Sequence, residues 1–247
     1  MVRSLLVRGM LVGVVAGLLA FAFAYIFGEP QVQHAIDFEE QLARLNHEPA
    51  EAELVSRGVQ RTIGLLTGTV VMGIALGGLF ALAFAWAYGR IGAFSPRMTA
   101  AVLALGAYVT IILVPFTKYP ANPPTVGTPD TIGSRTAVFV AMIAISIVAF
   151  IAAARIRRAL LERLGTWNAT TLAVAGFIAL VVVAQLILPA VHETPKGFPA
   201  DVLWRFRVAS LGITATLFAG IGLGFGALAE RLVGARAARR APVTVGA

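Results

Sequence analysis

"VLALGAYVTIILV", residues 102–114, carries one hydroxyl and one phenol among small and apolar side chains, and it does not alternate between polar and apolar positions. A membrane strand would alternate, so the run reads as helix. Inside hydrocarbon each backbone N–H and C=O must be satisfied within its own segment, which a helix does. The apolar stretch around it covers 98–116, and five more lie at 5–27, 62–88, 136–154, 169–189 and 208–229. Each is about 20 residues, enough to cross ~30 Å of hydrocarbon. The expected fold is an all-α integral membrane protein, a bundle of about six transmembrane helices in one polytopic domain over 1–230, followed by a tail over 231–247. Composition agrees: 58% of the 247 residues are hydrophobic and 13% are charged, far from the balance of a soluble domain.

The net charge of +8 is unevenly placed. If the spans alternate direction, Arg3, Arg8, Arg90, Arg97, Arg155, Arg157, Arg158, Arg163, Arg231, Arg236, Arg239 and Arg240 share one face with only Glu162 and Glu230 against them. That face is net +10 and the other −2, so by the positive-inside rule both termini are cytoplasmic. Topology and contact with anionic lipid account for the basic tail, and no nucleic-acid partner is expected. The expected location is a plasma membrane. The first span, "RSLLVRGMLVGVVAGLLAFAFA" (3–24), has the basic start and A-x-A pattern of a signal peptide but too long an apolar run. Its removal would leave five spans.

The span interiors contain no Asp, Glu, His, Lys or Arg, which disfavours an intramembrane proton relay. No cysteine occurs, so thiolate sites and disulfides are excluded, and there is no GxxxxGK[ST] nucleotide loop. No nucleophile or acid/base set points to catalysis, and no permanently bound cofactor is implied. Small residues recur at four-residue spacing: Gly9, Gly13 and Gly17; Gly64 and Gly68; Gly73 and Gly77; Gly220 and Gly224; Gly222 and Gly226. Such faces let helices approach closely, either as static packing or as a moving or self-associating interface.

Three outward connections share a weak pattern in which a span ends near a proline (Pro30, Pro115, Pro189) and an arginine (Arg61, Arg135, Arg207) opens the next. The first, 28–61, carries seven carboxylates and a helical segment, "QVQHAIDFEEQLARL" (31–45), with Val32, Ile36 and Leu45 as its apolar positions. This segment either lies on the membrane or caps the bundle. His34 and Asp37 fall at i and i+3 on it, and His192 is adjacent to Glu193 in the third connection. Imidazole with carboxylate suits first-row divalent metals, so these four are candidate ligands. The second connection, "PFTKYPANPPTVGTPDTIGSR" (115–135), holds five prolines and is expected to be rigid and largely extended, because proline fixes φ and removes a donor. The third repeats the style in "LPAVHETPKGFPADVLWRFR" (188–207), with Trp204 suited to the interface and Arg205 and Arg207 placed to pair with Asp201 or with the first loop.

"RGMLVGVVAGLLAFAFAYIFGEP" (8–30), "SRGVQRTIGLLTG" (56–68), "VPFTKYPANPPTVGTPDTIGSRT" (114–136) and "FPADVLWRFRVASLG" (198–212) resemble stretches of the CbtA family of predicted cobalt transporter subunits. The resemblance covers about residues 3–230. It implies an integral membrane transporter of Co²⁺ in the bacterial inner membrane, associated with cobalamin synthesis and paired with a small one-span subunit bearing a histidine-rich tail. Carried to matching positions it implies Glu29, Lys118, Tyr119, Asn122, Asp130, Arg135, Asp201, Arg205 and Arg207 as transport candidates. It gives His34 and His192 no fixed role.

Two function classes follow. One is a permease subunit that captures divalent metal at the outer loops and passes it along carbonyls and polar side chains such as Thr67, Thr69, Asn122 and Gln185. The other is a scaffold or regulator that docks a partner through its proline loops. The small-residue faces also suit self-association into a homo-oligomer.

Overall fold

A computed structural model describes residues 2–47, 54–124, 126–127, 129–191 and 193–240, the side chains of Pro129 and 234–240 excepted. The described chain is helical. Helix α1 (Val2–Phe23) runs through a π-helical turn (Ala24–Gly28) into α2 (Glu29–Leu45). A short turn of helix, α3 (Arg57–Val59), and a second π-turn (Gln60–Gly64) lead into α4 (Leu65–Ala87). Helix α5 (Pro96–Ala107) continues through a third π-turn (Tyr108–Leu113) into α6 (Val114–Lys118). After a 3₁₀ turn (Pro129–Thr131) come α7 (Ile132–Ile187) and α8 (Ala200–Arg240).

Among the described residues, five continuous helical stretches are long and apolar enough to cross a membrane. One of them, α7, folds back on itself. Gly165 holds φ 70° and ψ 171°, a conformation that a Cβ disfavours. Beyond it the ring of Phe177 meets Phe150 edge-on at 6.2 Å, and Arg157 Nε donates to Thr170 Oγ1 at 2.8 Å. Contacts that converge on residue 165 from both sides define an antiparallel pair, so 132–164 and 166–187 carry the expected spans 136–154 and 169–189 separately.

The chain forms two compact units. Unit one comprises 1–26, 53–105 and 212–247. Its centre is a glycine contact between α1 and α4. A Cβ on Gly9 would overlap the carbonyl of Gly77, one on Gly13 the carbonyl of Gly73, and one on Gly17 would lie 2.7 Å from the oxygen of Thr69. The partner number falls as the α1 number rises, so the helices are antiparallel. On α8, Gly220 and Gly224 face Ala16 and Val12 of α1, while Gly222 and Gly226 face Ala104 and Ala100 of α5. Both of these pairs are antiparallel by the same test. One helix thus uses two glycine rows to approach two neighbours, which is how small residues substitute for hydrophobic drive in lipid. Around the seams, Leu5, Phe84, Ile221 and Phe225 are almost wholly buried, with Phe225 edge-on to Phe80 and Phe84 at 5.5 and 5.1 Å. The antiparallel register brings the start of α1, the end of α4, the start of α5 and the late turns of α8 to one end of this unit. Arg97 pairs with Glu230 there.

Unit two comprises 27–52 and 106–211. Val114 packs against Met142 from the first half of α7 and Val181 and Ala184 from the second, with Val109, Ile145 and Phe177 around them. The π-turn over 108–113 widens the helix at the buried Thr110, whose carbonyl accepts the hydroxyl of the fully buried Ser146. A π-turn shifts bonds out of the i→i−4 ladder and so presents a carbonyl sideways.

The prolines act differently from the expectation. Residues 119–128, where described, are irregular, yet Val114–Lys118 is helical with Pro115 in its first turn, and Pro129–Thr131 is a 3₁₀ turn. Pro30 likewise sits in the first turn of α2. In both places a π-turn stands directly upstream, where an α-helix would require the N–H that proline lacks. At Pro189 there is no such turn, and α7 ends with Leu188 extended at ψ 145°.

Candidate functional site: the loop cluster of unit two

Helix α2 of the first connection meets the second and third connections in unit two. Ala35 of α2, Val126 of the second loop, Phe198 of the third and Val202 of α8 form one buried cluster, joined by Phe38 and Leu203. Phe38 and Phe198 meet edge-on at 5.2 Å. Helix α2 therefore packs on both proline-bearing loops. The face it uses is Gln31, Ala35 and Phe38, which corrects the expected apolar positions: Leu45 is 71% exposed, and the residues of α2 in the cluster are Ala35 and Phe38 rather than Val32 and Ile36. Gln31 is about nine-tenths buried, and its Oε1 accepts no hydrogen bond.

Two arginines fasten the second loop. Arg207 on α8 donates through Nη2 to Asn122 Oδ1 at 2.9 Å and through Nε to the carbonyl of Ala121 at 3.4 Å. This replaces the expected pairing of Arg207 with Asp201 or with the first loop. Asp201 and Arg205 are exposed at the start of α8. Arg135, in the first turns of α7, forms an ion pair with Glu193 of the third loop at 3.2 Å, both side chains mostly shielded from solvent. Its guanidinium packs on Gly127 where a Cβ would otherwise sit, and φ +119° at that glycine is one L side chains rarely adopt.

A third fastener joins α6 to the end of α7. Leu188 N bonds the carbonyl of Ala184 at 3.0 Å, and the next bond of the ladder would run from residue 189 to Gln185. Residue 189 is proline and has no N–H, so the Gln185 carbonyl is orphaned. Lys118 Nζ donates to it. The side chain of Gln185 donates to Thr117 Oγ1, and Tyr119 OH donates to the carbonyl of Pro189 at 2.7 Å. Lys118 Nζ also stands 5.9 Å from the centroid of the Tyr119 ring. Burial pushes the Tyr119 phenol up from its ordinary value, which keeps it a donor. A cation on the last carbonyls of a helix also suits the negative end of its dipole.

The remaining predicted residues are scattered around this cluster. Glu29 is half-buried in the first turn of α2, and Asp130 is exposed in the 3₁₀ turn. His34 and Asp37 are exposed on α2, and Asp37 Oδ1 accepts from Gln33 Nε2 at 2.8 Å. Glu193 is held by Arg135, and His192 lies outside the described residues. Among the described residues, no three His, Asp or Glu come together as a metal set. Thr69 back-bonds to the carbonyls of Leu65 and Leu66, and Thr67 is exposed. Sequence reasoning passed over Ser146 and Thr110, whose signal is a hydroxyl in the middle of an otherwise apolar run. It also missed the Arg135–Glu193 pair, which no local spacing announces.

A family model described as "Probable cobalt transporter subunit (CbtA)" matches residues 2–230 of the chain. No curated protein and no solved structure matches it.

Proposed function

Because the chain belongs to the CbtA family of probable cobalt transporter subunits, we propose that it forms the membrane path of a two-part system that brings Co²⁺ into the cell, capturing the ion at the loop cluster of unit two. The family is one of transporter subunits, which is not an enzyme class. The observation that carries the proposal is the convergence of α2 and both proline loops on the Ala35, Val126, Phe198 and Val202 cluster. Prolines 120 and 124 contribute carbonyls without matching N–H groups, and carbonyl oxygens can replace the waters of a hydrated cation. Gln31 adds a buried acceptor oxygen with no donor, and the carboxylates of the first connection raise local cation concentration. The partner is a small one-span protein with a histidine-rich tail, supplying the imidazoles that a first-row dication favours. The arginine-rich face is cytoplasmic.

Labelled-cobalt uptake tests this in cells lacking other cobalt importers, with the chain expressed alone and with a short histidine-rich membrane neighbour. Uptake by the pair supports a two-part importer, and uptake by the chain alone a self-sufficient permease. At matched membrane abundance, Glu29→Ala and Asn122→Ala should each lower uptake. Unchanged uptake in both would remove the loop cluster from the path. The two arginine fasteners also favour a second reading, a fixed docking surface on a scaffold that transports nothing. Flat uptake of cobalt, nickel and zinc, together with a stable partner in pull-downs, would select it.

A further inference from the structure

The Lys118 fastener has the chemistry of an occupied cation site. Pro189 strips the Gln185 carbonyl of its helical donor, and the chain supplies an ammonium in place of that neutral N–H. The ammonium also lies near the Tyr119 ring, whose hydroxyl is turned away onto the Pro189 carbonyl. Carbonyl oxygens at a helix C-terminus with an aromatic ring close by attract a cation that can shed water to reach them, which Mg²⁺ does reluctantly, and Lys118 is tethered there by its own backbone. Lys118, Tyr119 and Gln185 are half-buried and Thr117 and Pro189 exposed, so the group can leave.

We infer that the Gln185 carbonyl and the Tyr119 ring form a cation subsite that Lys118 fills in this state and that the incoming divalent cation competes for. This rests on the cobalt-import reading and adds to it a named competitor. Two positive charges repel strongly at such separations, so ion and ammonium exclude each other. Lys118 is then a positioning residue. While bound it holds α6 to the end of α7, and when displaced it releases them.

The chain has two lysines, Lys118 and Lys196, and Lys196 is exposed in the third loop. An amine-acylating reagent applied to the full chain in lipid nanodiscs therefore carries its own reference. The Lys118 to Lys196 labelling ratio should be low without metal and rise as CoCl₂ is added, and should not rise with MgCl₂ at equal ionic strength. In uptake assays, Lys118→Met should lower the half-saturating cobalt concentration by about tenfold, because a site blocked most of the time binds with an affinity reduced by its free fraction. Lys118→Arg, which keeps a cation, should not show that gain. A labelling ratio that ignores cobalt, or that rises equally with magnesium, overturns the subsite and leaves the import reading standing. A ratio that rises with cobalt while no pairing takes up metal leaves the subsite standing and removes the import reading.

Discussion

Gly13 and Gly68 have the same residue type and the same small-residue spacing in sequence, yet a methyl group would mean opposite things at each. At Gly13 it would overlap the Gly73 backbone, and at Gly68 it would meet nothing within 4 Å. Gly13→Ala should therefore cost about 1–3 kcal/mol through overpacking. Gly68→Ala should be neutral or gain up to about 1 kcal/mol of helix propensity. Thermal unfolding in detergent, with the two variants side by side, checks both. Breaking the Arg135–Glu193 pair by Glu193→Gln should cost about 1.5–3 kcal/mol, the range for a hydrogen bond to a charged group. Tyr119→Phe should cost about 1 kcal/mol. The phenol titrates above its ordinary value of 10.0, so its bond to Pro189 is fully present below pH 10 and lost as pH rises through the folded value. The offset between wild type and Tyr119→Phe should consequently be flat with pH over the physiological range. An offset that shrinks on acidification would contradict this assignment.

Three prolines near span ends look alike in the sequence, and the helices treat them in two ways. Pro30 and Pro115 follow π-turns and the helix runs on, whereas Pro189 terminates α7. The difference lies in what satisfies the freed carbonyls. At Pro189 the donor is a lysine from another element, 67 residues removed in sequence from the carbonyl it serves. Pro189→Ala restores an N–H in register with the Gln185 carbonyl and sets it in competition with Lys118. Amine labelling of Lys118 should then rise without any metal, and α7 should lengthen past Ile187. Unchanged protection of Lys118 in Pro189→Ala would mean that the lysine is held by something other than the orphaned carbonyl.

For the whole chain, the arginine distribution assigns sides, and the absence of cysteine makes the assignment easy to test. Single cysteines at Ser95, between α4 and α5, and at Thr194, in the third loop, should respond oppositely to a membrane-impermeant maleimide added outside intact cells. Thr194→Cys should react and Ser95→Cys should be protected. The reverse pattern would invert the topology and with it the direction of capture. The antiparallel register in unit one already brings the basic ends of α1, α4, α5 and α8 together, so alternation of direction is a property of the packed helices and not only of the charge pattern.

The class of fold follows from local chemistry alone. Apolar runs of membrane length cannot hide their backbone polar groups except as helices, and this holds wherever the runs end up. The small-residue faces, the proline breaks and, through idiosyncratic loop strings, the family are legible in the same way. Which glycine rows meet is a matter of packing: Gly9, Gly13 and Gly17 have an intrachain partner in α4, while a Cβ at Gly64 or Gly68 would reach no other span among the described residues. Packing also turns the long fourth helical stretch back at Gly165 and gives Arg207 to Asn122 rather than to Asp201. The reason is range. A helix is satisfied by bonds four residues apart, which local sequence encodes. Arg135 with Glu193 and Lys118 with Gln185 join positions 58 and 67 residues apart, and nothing in the local pattern at either end specifies its partner.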